Sequence, residues 1–175
     1  MPVILNLDTS TQVCSVALSS GPTLQGKRVS HDEKSHSRLL GGFIQELLDE
    51  NDLKPVGLDA ISVSSGPGSY TGLRIGVSTA KGLAYGSGRP LIGIGTLDLL
   101  VSGGLQHAEI KRILNTDDSS LLCPMIDARR MEVYSALYTA SGLTVENVSA
   151  KIIVETSFAE RLDSAPIVFF GNGAE

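Results

Sequence analysis

The sequence predicts a mixed α/β protein built of two lobes, and three observations support this prediction. Residues 60–94 carry the pattern strand, helix, strand, which implies two parallel strands joined by a right-handed crossover. A β-β-β-α-β-α pattern begins near the N-terminus and starts again after residue 120. The length of 175 residues and the hydrophobic content of 42% are sufficient for a buried core.

The first lobe begins with three strands joined by short turns. Alternating apolar residues and the turn residues Gly21-Pro22 predict a meander, and apolar residues then recur at helical spacing from Ser35 to Glu50. After the strand, helix and strand of residues 60–94, Thr96 is expected to cap another helix. The elements predicted for this lobe are strands over residues 3–7, 13–18, 24–29, 60–65 and 91–94, and helices over residues 35–50 and 70–85.

A polar, turn-rich segment at residues 108–120 marks the predicted lobe boundary, which gives an N-terminal lobe at 1–107 and a C-terminal lobe at 121–175. The second lobe repeats the pattern of the first. Its predicted elements are strands over residues 122–127, 131–139, 143–154 and 167–170, and a short helix over residues 158–162. Because the last strand is followed directly by Gly171–Glu175, we expect this lobe to be incomplete, without a covering C-terminal helix.

A glycine-rich turn leads directly from a strand into a helix at Gly66–Gly76, with the sequence Gly-Pro-Gly-Ser-Tyr-Thr-Gly-Leu-Arg-Ile-Gly. Gly66 and Gly68 can adopt the positive φ angles that such a turn requires, and Ser69 or Thr71 can cap the helix. Free backbone amides at a helix start attract anions, so Gly66, Gly68 and Ser69 are candidates for phosphate contact. A tight turn without a ligand needs the same residues, and both interpretations stay open.

The helix after this turn has a small residue at every fourth position. These residues are Gly72, Gly76, Ala80 and Ala84. They share one helical face, where another backbone can approach closely. A glycine inside a helix costs about 1 kcal/mol relative to alanine, so a close contact is expected to compensate, either with the chain's own sheet or with a partner's helix. Arg74 and Lys81 interrupt the apolar run, which excludes a membrane span.

Composition excludes several classes of function. The net charge is −5 and the basic residues are scattered, which argues against direct nucleic-acid binding, so any contact with RNA is expected to be shared with other subunits. Cys14 and Cys123 lie far apart in apolar segments, which favours buried, reduced thiols over a disulfide or a metal site. The N-terminus carries neither a basic leader nor a long apolar run, and we expect a cytoplasmic protein without membrane contact.

Five segments, in their order and spacing, resemble the TsaB (YeaZ) family. They are Asp8–Ser10, Gly66–Gly76, Ala80–Ala84, Leu91–Ile94 and Ile126–Tyr134, and the match spans nearly the whole chain. The resemblance implies an actin-like (ASKHA) fold of two lobes. It also implies membership of the bacterial complex that attaches threonylcarbamoyl to the adenosine beside the anticodon of certain tRNAs. In that family TsaB is the non-catalytic partner of the transferase TsaD, and the ATPase TsaE joins the assembly.

The same resemblance implies which chemistry is absent. TsaD-like relatives carry a His-x-x-x-His pair that binds the catalytic metal, and Thr96 and Leu100 occupy those two places here. A hydroxyl and an aliphatic side chain cannot supply the imidazole nitrogens of such a site. No catalytic and no metal-binding residue is therefore expected in this chain. ATP and the metal would belong to the TsaD-like and TsaE-like partners.

In actin-like folds two hairpins, one per lobe, hold the phosphates of a nucleotide. Asp8, Thr9 and Ser10 occupy the place of the first hairpin and join the candidates for nucleotide or anion contact. The second place holds Asp127-Ala128-Arg129-Arg130, whose side chains fill space and whose carboxylate repels phosphate. We hypothesise that the isolated subunit binds ATP weakly or not at all.

The predicted partner interface lies on the two long helices of the first lobe, at residues 35–50 and 70–85. We expect them to pack against the equivalent helices of a TsaD-like partner or, without that partner, of a second copy in a homodimer. The ten residues predicted for this interface are Leu39, Leu40, Phe43, Leu47, Gly72, Arg74, Gly76, Val77, Ala80 and Leu83.

Two other classes of function stay open. A small phosphotransferase or ATPase of the actin-like fold is favoured by the acidic first turn and the two-lobed pattern, and disfavoured by the missing second glycine loop. A hydrolase using Asp8 or Asp127 is the other class, although the sequence supplies no convincing pair of acid and base for it.

Overall fold

A computed structural model describes residues 1–32, 36–116 and 119–174. Its contacts form two compact units, Met1–Gly95 and Thr96–Glu175. Three parts of the sequence-based predictions lie outside the described residues: the start of the first helix at Ser35, positions 117–118 of the predicted boundary, and Glu175.

The first unit is one sheet covered by two long helices. Its elements are β1 (Val3–Asp8), β2 (Cys14–Ser20), β3 (Thr23–Ser30), α1 (His36–Glu50), a 3-10 turn (Pro55–Gly57), β4 (Ala60–Gly66), α2 (Tyr70–Ser87) and β5 (Leu91–Gly95). The strand order is β3-β2-β1-β4-β5. β1 pairs antiparallel with β2 and parallel with β4, and β4 pairs parallel with β5, which confirms the predicted meander and crossover.

The core of this unit follows from the alternation of the strands and the spacing of the helices. Leu5 and Leu7 of β1 are buried. Leu40 and Leu47 of α1 are buried too, and because they are about two turns apart they lie on the same helical face. Both sets belong to one cluster, so α1 lies with its apolar face on the sheet.

Helix α2 has a defined start and end. Ser69 is its N-cap, with a side-chain oxygen that accepts a hydrogen bond from the backbone N–H of Gly72 at 3.3 Å. Its C-cap is Gly88, whose φ of 67° is the left-handed conformation that glycine adopts without penalty. The predicted cap at Ser69 is confirmed.

The second unit begins with two helices and from its first strand onward repeats the strand-and-helix order with which the first unit begins. Its elements are α3 (Thr96–Gly104), α4 (Ala108–Thr116), β6 (Leu121–Arg129), β7 (Glu132–Tyr138), β8 (Thr144–Ile152), α5 (Ala159–Leu162) and β9 (Ile167–Phe170). The strand order is β8-β7-β6-β9, with β6 antiparallel to β7 and parallel to β9, as β1 is to β2 and β4. The repeated pattern of three strands, a helix and a strand confirms the two-lobed α/β fold of the actin-like type.

The segment 108–120 differs from its prediction. It was expected to be a turn-rich boundary, but Ala108–Thr116 forms α4. Ile110 is buried and Leu114 packs beside it on the core of the second unit, which stabilises the helix in spite of its polar composition. The contacts also divide the chain earlier, before Thr96, because Leu97 and Val101 of α3 belong to that same core.

Within the described ranges, no helix is both long enough and apolar enough to cross a membrane.

Both cysteines are free and fully buried, Cys14 in β2 and Cys123 in β6. Burial raises the pKa of the Cys123 thiol to about 12. The pKa of Cys14 is also raised, first by burial and then by the negative charge of Asp8. Both effects favour the protonated, unreactive thiol, in agreement with the expected reduced state.

We predict that neither thiol reacts with an aromatic disulfide reagent at pH 8 while the protein is folded. The thiolate is the reactive form, and a pKa of about 12 leaves about one Cys123 in ten thousand ionised at that pH. Absorbance of the released thiol should show two reactive groups per chain only after denaturant is added. Rapid labelling of the folded protein would contradict this burial.

Candidate functional site

The turn between β1 and β2 is organised by one carboxylate oxygen. Oδ1 of Asp8 accepts hydrogen bonds from the backbone N–H of Ser10 at 2.8 Å, the Ser10 hydroxyl at 2.7 Å and the Ser64 hydroxyl at 2.6 Å. Ser64 lies on β4 and is buried, so the last bond joins the turn to the neighbouring strand. The carboxylate therefore acts as a structural acceptor within the chain.

The same turn is bonded to the start of α2. The backbone N–H of Ser69 donates to the Ser10 carbonyl at 2.6 Å, and the Thr9 hydroxyl donates to the Gly72 carbonyl at 2.8 Å. Thr9 and Ser10 are both completely buried. The β1–β2 turn thus lies directly against the first turns of the helix.

This contact explains the glycines on one side of α2. A Cβ atom at Gly72 would overlap the Thr9 carbonyl oxygen, and a Cβ atom at Gly76 would overlap the Thr9 hydroxyl. In the loop before the helix, a Cβ atom at Gly68 would overlap the Ser10 carbonyl oxygen. The row of small residues faces the chain's own turn and sheet, so the interpretation that it admits a partner's helix is corrected.

The predicted interface residues are divided by burial. Leu40, Leu47, Gly72, Gly76 and Ala80 are buried within the first unit. Leu39, Phe43, Val77 and Leu83 are partly buried. Arg74 alone among the ten is exposed. Both helices predicted to form the partner interface are present. However, most of the ten residues predicted to contact the partner are buried or partly buried in the first unit.

The outer face of the two helices carries a different set of residues. Tyr70 and Tyr85 of α2 are 74% and 93% exposed, and the Arg74 guanidinium lies over the Tyr70 ring at 5.4 Å from its centre. Four glycines on this face have open space where a Cβ atom would lie: Gly41, Gly42, Gly82 and Gly86. The sequence also shows this second row, because small residues recur at positions 78, 82 and 86. Sequence spacing alone does not show which of the two rows of small residues on α2 faces outward, whereas burial in the structure does.

The residues predicted to contact an anion lie close together, but several of their hydrogen-bond donors already bond to oxygen atoms of the protein. Asp8, Thr9 and Ser10 meet Gly68 and Ser69 across the contact described above, and Gly66 turns the chain with a φ of 108°. The Ser69 amide and the Thr9 and Ser10 hydroxyls bond to protein oxygens. The negative charge of Asp8 in the same turn also opposes a phosphate. Phosphate contact here stays a prediction.

The second hairpin lacks the glycines of a phosphate loop. Oδ1 of Asp127 accepts a hydrogen bond from the backbone N–H of Arg129 at 2.7 Å. Arg129, Arg130 and Met131 all have positive φ angles, of 71°, 57° and 63°. A non-glycine residue with this backbone conformation costs about 1–3 kcal/mol, and here three consecutive residues with long side chains adopt it at the tip of the hairpin.

The places of the implied metal ligands lie on α3. Thr96 begins this helix and is buried, and Leu100 packs against the core of the second unit. Among the residues that the structure describes, no three His, Cys, Asp or Glu side chains come together as metal ligands.

Comparisons with known proteins agree with one another. A family model described as TsaD, tRNA N6-adenosine threonylcarbamoyltransferase, matches residues 29–166. The tRNA threonylcarbamoyladenosine biosynthesis protein TsaB of Bacillus subtilis is 33% identical over 97% of this chain and 70% of its own length. The protein of the same name from Escherichia coli is 35% identical over 77% of this chain, but only 54% of its own length is covered.

Solved structures give the same result. YeaZ from Pseudomonas aeruginosa aligns with a TM-score of 0.70 and 26% identity, over 98% of this chain and 85% of its own. A second structure from that organism, described as similar to peptidase YeaZ, aligns with a TM-score of 0.72 and 26% identity, over 98% of this chain and 84% of its own.

We predict opposite effects on stability for glycine substitutions on the two sides of α2. Gly72→Ala and Gly76→Ala should each lower the free energy of unfolding by about 2 kcal/mol or more, because the new methyl group overlaps the Thr9 backbone or hydroxyl. Gly82→Ala should raise it by about 0.5–1 kcal/mol, since its methyl group meets nothing and alanine favours the helix. Urea denaturation measures all three, and equal effects on both sides would contradict the assigned packing.

Proposed function

The chain belongs to the TsaB (YeaZ) family of tRNA threonylcarbamoyladenosine biosynthesis proteins, and we propose that it acts as the non-catalytic subunit that binds and activates a TsaD-like transferase. The reaction served is the attachment of threonylcarbamoyl to the adenosine beside the anticodon of tRNA. A TsaE-like ATPase completes the assembly, and tRNA is met only through the other subunits.

The observation that carries this proposal is the set of open glycines on the outer face of α1 and α2. Four of them, at positions 41, 42, 82 and 86, lie within helices and touch nothing within 4 Å of a would-be Cβ atom. Together they cost on the order of 4 kcal/mol of helix stability relative to alanine, and no contact among the residues that the structure describes offsets that cost. Close approach by another protein's helices does explain it.

The neighbouring side chains on this face suit a protein interface. Tyr and Arg are the residue types that most often contribute large binding energies, and Tyr70, Arg74 and Tyr85 are all exposed here. The stacking of Arg74 on Tyr70 holds both side chains in place before a partner binds, which lowers the entropy lost on association.

The assignment of catalysis to the partner rests on residue chemistry. Where the transferases carry two metal-binding histidines, this chain has Thr96 and Leu100, and neither can donate a ring nitrogen. Catalytic metal and ATP are accordingly proposed to be held by the TsaD-like and TsaE-like subunits, and this subunit contributes its helical surface.

We predict that Gly82→Leu weakens binding to a TsaD-like subunit by about 10- to 100-fold, because a bulky side chain then stands where the two helical surfaces meet. The folded protein itself should be unaffected, since position 82 is open. Calorimetric titration measures the affinity, and tRNA threonylcarbamoylation by the reconstituted subunits should fall in parallel.

Gly103→Leu is the matched control for this experiment. Gly103 is also an exposed helical glycine with open space around it, but it lies on α3 of the second unit. This variant should bind the TsaD-like subunit as the unmodified protein does. If Gly82→Leu also bound normally, the outer face of α2 would not be the interface.

We also predict that the isolated chain shows no micromolar binding of ATP with magnesium. The hydroxyls and the amide of the β1–β2 turn and the α2 start are already bonded within the protein, and the second hairpin carries no glycine. Calorimetry should give no saturable heat below about 100 µM nucleotide. Micromolar affinity accompanied by ATP hydrolysis would favour the alternative, a small phosphotransferase or ATPase of the actin-like fold.

A further inference from the structure

The charged residues of α2 are all positive. They are Arg74 and Lys81, and both side chains are exposed. Neither takes part in any of the ion pairs that join described residues. Because the whole chain has a net charge of −5, the outer face of this helix differs in sign from the protein that carries it.

The acids of α1 do not pair with the two cations of α2. Glu46 and Glu50 both bind the Arg28 guanidinium, the first at 2.8 Å. Asp49 accepts a hydrogen bond from the Gln45 amide at 2.8 Å. Each carboxylate of α1 is thus bonded elsewhere in the chain, and none of the three lies within ion-pair distance of α2.

Both cations of α2 lie beside its open glycines. Arg74 begins a row with four-residue spacing that continues through Ser78, Gly82 and Gly86. Lys81 follows Arg74 by seven residues, which places it two turns further along nearly the same side of the helix. A partner that packs on the open glycines therefore passes beside two positive charges that are about 10 Å apart along the helix axis.

The Arg74 side chain has contacts that hold it in place without neutralising it. Its guanidinium lies 5.4 Å from the centre of the Tyr70 ring and donates a hydrogen bond to the Tyr70 hydroxyl at 3.4 Å. Neither group carries an opposite charge. The planar guanidinium is therefore positioned to bind a carboxylate, and the Lys81 ammonium adds a second positive charge further along the helix.

From this arrangement we propose that Arg74 and Lys81 select the partner by charge, by pairing with two carboxylates about 10 Å apart on the surface of the TsaD-like subunit that packs on α2. This inference rests on the proposed function and adds the chemistry of the partner's surface. Exposed ion pairs contribute little to affinity, but they accelerate encounter with an acidic surface and disfavour a basic one. The two cations therefore act mainly on the rate of association and on the choice of partner.

The first test neutralises both cations together. The double variant Arg74→Gln with Lys81→Gln should associate with the TsaD-like subunit about tenfold more slowly at about 50 mM salt, with a change of less than about threefold in the dissociation rate. Raising the salt to about 500 mM should slow association of the unmodified chain, because ions screen the attraction, and the variant should show no such decrease. Biosensor interferometry measures both rates.

Lys27→Gln with Lys54→Gln is the matched control. Both lysines are exposed in the first unit but lie outside α1 and α2, so this variant loses the same amount of charge away from the proposed contact. Its association rate and salt dependence should equal those of the unmodified chain. Equal effects of the two double variants would mean that net charge alone governs association, and would overturn the proposal.

A second test locates the partner's carboxylate. A carbodiimide joins a lysine amine to a carboxylate only where the two groups are in contact. In the complex it should link Lys81 to an Asp or Glu of the TsaD-like subunit, which mass spectrometry of the digested product identifies. Lys81→Arg keeps the positive charge and should keep the association rate, but its guanidinium should not form this link.

The outcomes separate this inference from the proposed function. If the unmodified chain did not bind the TsaD-like subunit, both would be wrong. If Gly82→Leu weakened binding while the Arg74→Gln with Lys81→Gln variant kept the normal association rate and salt dependence, the helical interface would stand and the charge pairing would be wrong. A complex that forms normally but gives no cross-link at Lys81 would also overturn the charge pairing.

Discussion

The contact between the β1–β2 turn and α2 is the constraint on which the rest of the first unit depends. Thr9 is completely buried, its hydroxyl bonds to the Gly72 carbonyl, and the missing side chains at Gly72 and Gly76 let the helix lie directly on the turn. Because one side of α2 is held in this way, the opposite side must face outward. The position of Thr9 thus determines that Tyr70, Arg74, Gly82 and Tyr85 are the residues available to a partner.

The second unit uses a similar device with different consequences. After its fourth strand in sequence order, Gly171 lies so close to Met125 of β6 that a side chain would overlap the Met125 carbonyl, much as Gly68 lies against Ser10. The glycines that follow β4 and β9 therefore serve close packing of a loop on a neighbouring strand. A glycine-rich sequence at these places therefore need not indicate a phosphate site. Whether such a loop can bind an anion depends on which of its hydrogen-bond donors are left without a partner in the folded protein.

Much of the architecture could be predicted from the sequence, because local patterns determine it. The crossover from β4 through α2 to β5 follows from hydrophobic periodicity, and the Ser69 cap from its place before the helix. Two predictions failed where distant contacts decide. Polar composition concealed the helix Ala108–Thr116, which is stabilised by Ile110 on a core formed elsewhere in the chain. Helical spacing revealed a row of small residues, but only the position of Thr9 shows that this row faces inward.

A double-mutant cycle between Thr9 and Gly76 tests this contact most directly. Thr9→Ala removes the hydroxyl that a side chain at position 76 would overlap, at a cost of about 1 kcal/mol for the lost hydrogen bond. Urea denaturation should show that Gly76→Ala is strongly destabilising in the unmodified chain and much less so beside Thr9→Ala, with a coupling of at least about 1 kcal/mol. Additive effects, within about 0.5 kcal/mol, would mean that Gly76 does not rest on Thr9 and that the outward face of α2 has been assigned on the wrong basis.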